Sequence, residues 1–290
     1  MARSCRWKVA GWRVDPCHSL AVSLFPILTE IIMELHLKGK KALVTGGSRG
    51  IGLGIARMLA EEGCHLELAS RSEANLGAAR DMIAALAPHS RIGVHALDLG
   101  RAENCIALSR ACPEVDILIN NAGAIPQASL ESLDAAAWDA AWELKMYGFI
   151  NLTREVFRGM RERKRGVIVN IVGIAGERPR PDYIAGSMAN AALMAMTRAL
   201  GVEGSQHGVR VVGINPGNTE TDRQVVRWKA RAQAKLGDEN RWRELTAHFP
   251  QGRLATTDEV AAAAVFLCSD RSAYTNATVL TIDGGWSVMQ

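Results

Sequence analysis

One segment constrains this chain more than any other: Lys41-Ala42-Leu43-Val44-Thr45-Gly46-Gly47-Ser48-Arg49-Gly50-Ile51-Gly52-Leu53-Gly54-Ile55. Lys41 to Thr45 is a short, mostly apolar run that stops at glycines, which predicts a buried strand. Ile51, Ile55, Met58 and Leu59 then recur at helical spacing, which predicts a helix. Glycines between a strand and a helix form the context of a phosphate-cradling turn. Gly46 suits a tight turn, Gly50 lets the main chain approach a pyrophosphate, and Gly52 permits close helix–strand packing. Free N–H groups at the helix start then face the anion, aided by the helix dipole.

The next run, His65 to Ala69, alternates in polarity and ends at Ser70-Arg71-Ser72. A carboxylate about 20 residues beyond the glycine loop would bind a ribose 2′-hydroxyl, whereas an arginine suits a 2′-phosphate. Ser70 is not acidic, Arg71 follows it, and Arg49 lies within the loop. This chemistry favours NADP(H) over NAD(H). The runs Ile117–Ile119, Val167–Ile171 and Val209–Ile214 also end in Asn or Gly, and loops at the carboxyl ends of such strands are where ligands bind.

Four further segments carry a resemblance: Asn120-Asn121-Ala122-Gly123, Asn215-Pro216-Gly217, Thr221, and Thr281-Ile282-Asp283-Gly284-Gly285. With the glycine loop, and in the same order and spacing from residue 37 to 290, they resemble the short-chain dehydrogenase/reductase family. The resemblance implies an α/β fold: a three-layer, Rossmann-like, doubly wound parallel sheet of seven strands with helices on both faces. The 48% hydrophobic fraction suits such a covered sheet. It also implies a nucleotide site. Gly46, Ser48, Arg49, Gly50, Ile51, Gly52, Ser70 and Arg71 would form one end of it, and Asp98 and Leu99 would meet the adenine. Asn120, Ala122 and Gly123 would line the cleft, and Pro216, Gly217, Thr219 and Thr221 would hold the nicotinamide end.

Members of that family work with a Ser, a Tyr, a Lys and a helix-borne Asn. The positions corresponding to those residues hold Gly173, Gly186, Asn190 and Lys145 here. The resemblance therefore implies an atypical member without the usual proton relay. Lys145 falls on the apolar stripe Trp138, Ala141, Trp142, Met146 and Phe149, so it is expected to point inward. A desolvated lysine titrates near neutrality and can act as an acid, while the contrary expectation is a stem that packs and a charge that escapes to solvent. Tyr183, three residues before Gly186 and seven before Asn190, is the nearest phenol and would share their face if the helix reached back to it. Pro179 and Pro181 argue that the helix starts only about there. Asn190 can bond a ribose hydroxyl but carries no charge. Ser187 is a substitute hydroxyl or a helix cap.

Residues 222–253 read as a variable lid, rich in Lys and Arg, with Arg178 and Arg180 on the loop after the fifth strand. A basic lid suits an anionic small-molecule substrate, although a solvated charged helix reads the same way. Trp228 and Trp242 either wall a pocket or fill core. The six cysteines show no paired short spacing and the seven histidines no ligand cluster, so neither a metal nor a disulfide framework is implied. Scattered thiols read as cytoplasmic. A net charge of +4 without a basic tract argues against nucleic acid, and no apolar stretch is long enough to span a membrane. The domain is expected over 33–290, with Met33 as the natural start and 1–32 a disordered or misassigned extension; a targeting segment is the rival. Apolar helices around 138–158 and 187–201 imply, by the resemblance, a homotetramer or dimer.

Two functions follow. The first is an NADP(H)-dependent oxidoreductase of a carbonyl or alcohol, or of an enone, with Lys145, joined by Tyr183 or a bound water, as a nonstandard proton donor and Asn190 as the third candidate catalytic residue. The second is a nucleotide-binding relative without redox turnover, acting as a sensor or regulatory partner.

Overall fold

In every central strand, alternate side chains leave the sheet in opposite directions, and the helices divide accordingly. The computed structural model describes residues 33–123 and 125–289; the expectations for 1–32 lie outside them. Seven strands, β1 (Lys41–Thr45), β2 (His65–Ser70), β3 (Ile92–Ala96), β4 (Ile117–Asn120), β5 (Gly166–Ile171), β6 (Val209–Pro216) and β7 (Val279–Ile282), form one parallel sheet in the order β3-β2-β1-β4-β5-β6-β7. Ala42, Val44, Ile117, Ile119, Val167, Val169, Val212 and Ile214 face helices α1 (Gly50–Glu61), α2 (Glu73–Leu86) and α8 (Thr257–Cys268). Leu43, Leu118, Ile168, Val209 and Val211 face α3 (Ala102–Ala111) and α5 (Gly148–Arg163). On that second face α6 (Ile184–Ser205) continues the layer through Leu193 and Met194, packed with Phe149 and Val172. Helices cover both faces, as expected, and Leu35–Gln290 forms one compact unit.

The strand order reverses between β1 and β4, so their carboxyl ends diverge into opposite crossovers and open a crevice. Two departures from the expected elements matter at this crevice. The helix expected around 138–158 is three pieces: α4 (Ala135–Trp142), a π-helical turn at Glu143–Tyr147, and α5. Lys145 is the buried residue of that turn. The helix bearing Asn190 begins at Ile184, and Tyr183 is its non-helical N-cap. Tyr183 therefore does not extend the helical face of Gly186 and Asn190; it ends the short 3-10 turn Pro181–Tyr183.

Candidate functional site

The crevice is fastened by Thr45 and Asn121. Thr45 Oγ1 donates to Ile119 O (3.1 Å) and accepts from the N–H of Asn121 (2.9 Å) and of Ala122 (3.1 Å). Asn121 Nδ2 donates to Thr45 O (3.1 Å) and Gly46 O (3.3 Å). A hydroxyl and an amide thus hold the ends of β1 and β4 in fixed relation. Both residues stand in the sequence motifs without an expected role of their own, and the repeated Asn of Asn120-Asn121 is the one signal of it.

Gly46 turns at φ +64° and Gly50 at φ +56°. A side chain on Gly52 would collide with Gly46 O and Asn121 Nδ2. The first turn of α1 carries no acidic residue, and its N-cap, Arg49, makes no side-chain cap. Its leading N–H groups are thus left without a side-chain acceptor, the arrangement that receives a phosphate. Ser48 Oγ bonds Ser70 Oγ (3.2 Å), Arg49 reaches Asn75 Oδ1 (2.7 Å), and Arg71 stands exposed at the end of β2. Ile51 packs on the core beneath the loop. Thr221 caps α7 (Asp222–Leu236) through Gln224 N (3.3 Å) and lies over Gly50, its Cγ2 3.3 Å from where a Cβ would stand. Pro216 ends β6. Gly217 bonds Ile282 O (2.9 Å), and Thr219, buried, bonds Gly217 O (3.3 Å). This loop therefore shares a border with the glycine loop.

Two residues assigned to the cleft have their side chains elsewhere. Asn120 donates to Thr153 Oγ1 (2.8 Å) and Asn170 Oδ1 (2.9 Å), and Asn170 donates to Thr197 Oγ1 (2.9 Å). This fully buried chain ties β4 and β5 to α5 and α6, because a polar group inside the layer must find a partner. Leu99 is packed in the core against α3 and α5. Asp98 remains at the rim, accepting from Gly100 N (3.0 Å).

Lys145 is buried, 8% exposed. Its ammonium donates to Ile171 O (2.7 Å) and Val172 O (3.0 Å) at the end of β5 and stands 4.8 Å from the Phe149 ring centre. Burial pulls its pKa down to about 7. Its stem runs under Gly123, where a Cβ would come within 2.6 Å of Cδ. Lysine 145 therefore points inward, and its charge is not carried to solvent.

Asn190 is buried beside Gly173, whose Cβ position lies 3.0 Å from Nδ2, and its Oδ1 has no hydrogen-bond partner. Such an orphaned acceptor fits a hydroxyl donor. Above it, the Tyr183 ring lies directly on Gly186, in the space a side chain at 186 would fill. Burial raises the phenol's pKa, while Arg227, Arg223 and Arg180 act to lower it. Ser187 accepts from Arg180 N (3.1 Å), so it fastens the preceding loop and does not cap its own helix.

Along residues 222–254, Trp228 and Trp242 are core: with Ala232, Phe249 and Leu254 they form a separate cluster. Lys229, Arg241, Arg243 and Arg253 pair with acids at the surface. Arg223 instead reaches Gly123 O (3.3 Å), joining the start of α7 to the loop after β4.

A glycine-lined crevice at the reversal of a parallel sheet defines a doubly wound α/β protein with a nucleotide-type site. Residues 46–287 match the family described as Enoyl-(Acyl carrier protein) reductase. The chain is 32% identical to D-beta-hydroxybutyrate dehydrogenase of Cupriavidus necator, over 86% of this chain and 98% of that one. It is 34% identical to the 3-oxoacyl-(acyl-carrier-protein) reductase FabG of Vibrio cholerae, over 87% and 98%. The crystal structure of L-sorbose reductase from Gluconobacter frateurii complexed with NADPH and L-sorbose superposes with a TM-score of 0.84 at 29% identity, over 89% of this chain and 100% of that one. The chain belongs to the short-chain dehydrogenase/reductase family and is an NAD(P)-dependent oxidoreductase. Among the described residues no helix is long and apolar enough to cross a membrane.

Proposed function

We propose that this chain is an NADP(H)-dependent oxidoreductase of an anionic carbonyl or alcohol, or of an enone, whose proton comes from a lysine–phenol pair and not from the family's usual relay. Gly173, Gly186, Asn190 and Lys145 occupy the four relay positions. The observation that carries the reading is the Lys145 ammonium, buried where β4 and β5 end and held near neutral titration.

Bound NADP(H) supplies or accepts the hydride. The uncapped start of α1 and the turns at Gly46 and Gly50 fit its diphosphate, Ser48, Arg49, Ser70 and Arg71 its 2′-phosphate, and the orphaned Oδ1 of Asn190 a ribose hydroxyl. With its pKa at about 7, Lys145 can give up a proton from Nζ at neutral pH and, while protonated, stabilises a developing alkoxide. Tyr183 offers a hydroxyl under the influence of three arginines, and Arg223 and Arg227 favour a substrate carboxylate or phosphate. The relatives' hydroxybutyrate and oxoacyl substrates are of compatible class. On the same reading the protein is cytoplasmic, with Cys64, Cys105, Cys112 and Cys268 as free buried thiols. It assembles as a dimer or tetramer through α5 and α6, which expose Ile150 and Val202.

One observation favours the non-redox alternative: both bonds of the Lys145 ammonium go to main-chain carbonyls, as in a purely structural plug. Single-turnover oxidation of NADPH against a panel of anionic ketones and enones separates the two. Lys145→Met should lower the rate by about a hundredfold or more while NADPH affinity holds. Because the protonated amine is the donor, reduction should slow as pH rises through about 7. An unchanged rate removes Lys145 from the mechanism, and no turnover by the wild type establishes the alternative.

A further inference from the structure

Away from the cleft, three side chains on the α3 face of the sheet converge. Glu67 on β2 and His95 on β3 leave the sheet on the same side, since their neighbours Leu66, Leu68, Ile92 and Val94 go to the other. Cys112 is the C-cap of α3 and packs in the core of that side. Glu67 Oε2 lies 2.8 Å from His95 Nε2, and Cys112 Sγ lies 3.3 Å from the same nitrogen. All three atoms fall within 4.8 Å of one another.

A carboxylate only accepts, and a single Nε2 offers one lone pair or one N–H, which it can share between Glu67 Oε2 and Cys112 Sγ. This is not a Cys-His-Glu relay, because a relay uses both ring nitrogens, one toward each partner. The three groups are instead a ligand set: one oxygen, one nitrogen and one sulfur lie close enough together for a single cation to draw on all of them. Around tetrahedral zinc, bonds of about 2.0–2.3 Å place such donor atoms about 3.3–3.6 Å apart, so small side-chain rotations suffice. The site is also shaped for its carboxylate. Glu67 pairs in register with Gly93, and any side chain at 93 would collide with Oε2.

We propose that Glu67, His95 and Cys112 form a zinc-class divalent metal site that staples β2, β3 and the end of α3, with the fourth position left to water. The side chains of Glu67 and His95 are 22% and 20% exposed, which leaves a path for solvent and metal. Burial, and then Glu67, push the Cys112 thiol up to about 12, and Lys41, whose ammonium is turned to Pro113 O (3.0 Å), only partly opposes them. The ligands are separated by 28 and 17 positions, a spacing with no zinc signature, so the sequence does not announce them.

The test is a Co2+ titration of the tag-free, metal-stripped full chain, followed by absorption and thermal unfolding. We expect one equivalent bound, a thiolate-to-cobalt charge-transfer band, tetrahedral d–d bands, displacement of both by Zn2+, and a midpoint raised by several degrees. Cys112→Ser should abolish the charge-transfer band, and Glu67→Gln should weaken binding at least tenfold; each variant's fold is checked by its NADPH affinity. Absence of the band in the wild type overturns the proposal, as does a band that survives Cys112→Ser, which would place the metal on another cysteine.

Discussion

At Gly52 of the glycine loop, the space a side chain would need is taken by a main-chain carbonyl together with the Asn121 amide. At the ends of β4 and β5 and the start of α6, it is taken by side chains from other positions. Gly52 abuts Gly46 O. Gly123 abuts the stem of Lys145, Gly173 the amide of Asn190, and Gly186 the ring of Tyr183. A carbonyl of the loop cannot be traded, so the first region keeps its residues. In the second, a small residue at one position is matched by a larger one beside it, so volume can move between positions while the packing stays full. On this view the reaction end is rearranged, not eroded, since erosion would leave holes.

The difference breaks most visibly at Gly52. Gly52→Ala should cost about 3 kcal/mol or more of stability and NADPH affinity by over a hundredfold, measured by denaturant unfolding and fluorescence titration. Asn121→Ala should not rescue it, because Gly46 O remains in the way. A variant with near-normal affinity would mean that the loop is as plastic as the other end.

Lys145→Met comes next. The amine's pKa falls from its ordinary 10.5 to about 7 on folding. Between those values the unfolded chain binds the extra proton, so wild-type stability rises with pH across that window and is flat below it. Replacing the amine removes a burial penalty on the order of a few kcal/mol, offset in part by two carbonyls left without their donor. The variant should gain relative to wild type below pH 7, and the gain should shrink toward pH 10, as read from urea midpoints. A gain independent of pH would show that the amine titrates normally.

The third probe is a double-mutant cycle. Gly186→Ala alone must displace the Tyr183 ring and should cost about 1–3 kcal/mol. With Tyr183→Ala beneath it, the same change should cost nothing or stabilise slightly, since alanine is the better helix former. A coupling energy of at least about 1 kcal/mol supports volume exchange; additive effects would contradict it.

The same contrast explains what could be read from the residues. Whereas the reversal of the sheet was implied by the family resemblance, the glycine loop and five of the strands follow from local pattern, because periodicity and glycine geometry act over a few neighbours. The inward aim of Lys145 was legible for that reason: it sits on an apolar stripe. What could not be read depends on long-range placement. Tyr183 reaches Gly186 by folding back from outside the helix, not by helical phase. Asn120 and Leu99 sit in motif positions, yet their side chains enter the layer behind the motif. Trp228 and Trp242 fill core because α7 and the turns after it bury a cluster of their own with Trp286 packed against it, which no charge count reveals.

The smallest effect is the one that dissects the loop's own specificity. Arg71 is exposed and makes no fixed bond among the described residues, and Arg49 is engaged with Asn75. An exposed guanidinium meeting a 2′-phosphate gains charge-assisted bonds that water and salt partly screen. Arg71→Ala should therefore lower the ratio of NADPH to NADH affinity by roughly tenfold, about 1.4 kcal/mol, with NADH affinity unchanged and the effect weaker at high salt. Equal ratios in wild type and variant would transfer the 2′-phosphate to Arg49 and Ser48. The nucleotide end would then also depend on a side chain already bonded elsewhere, which is the property that otherwise sets the reaction end apart.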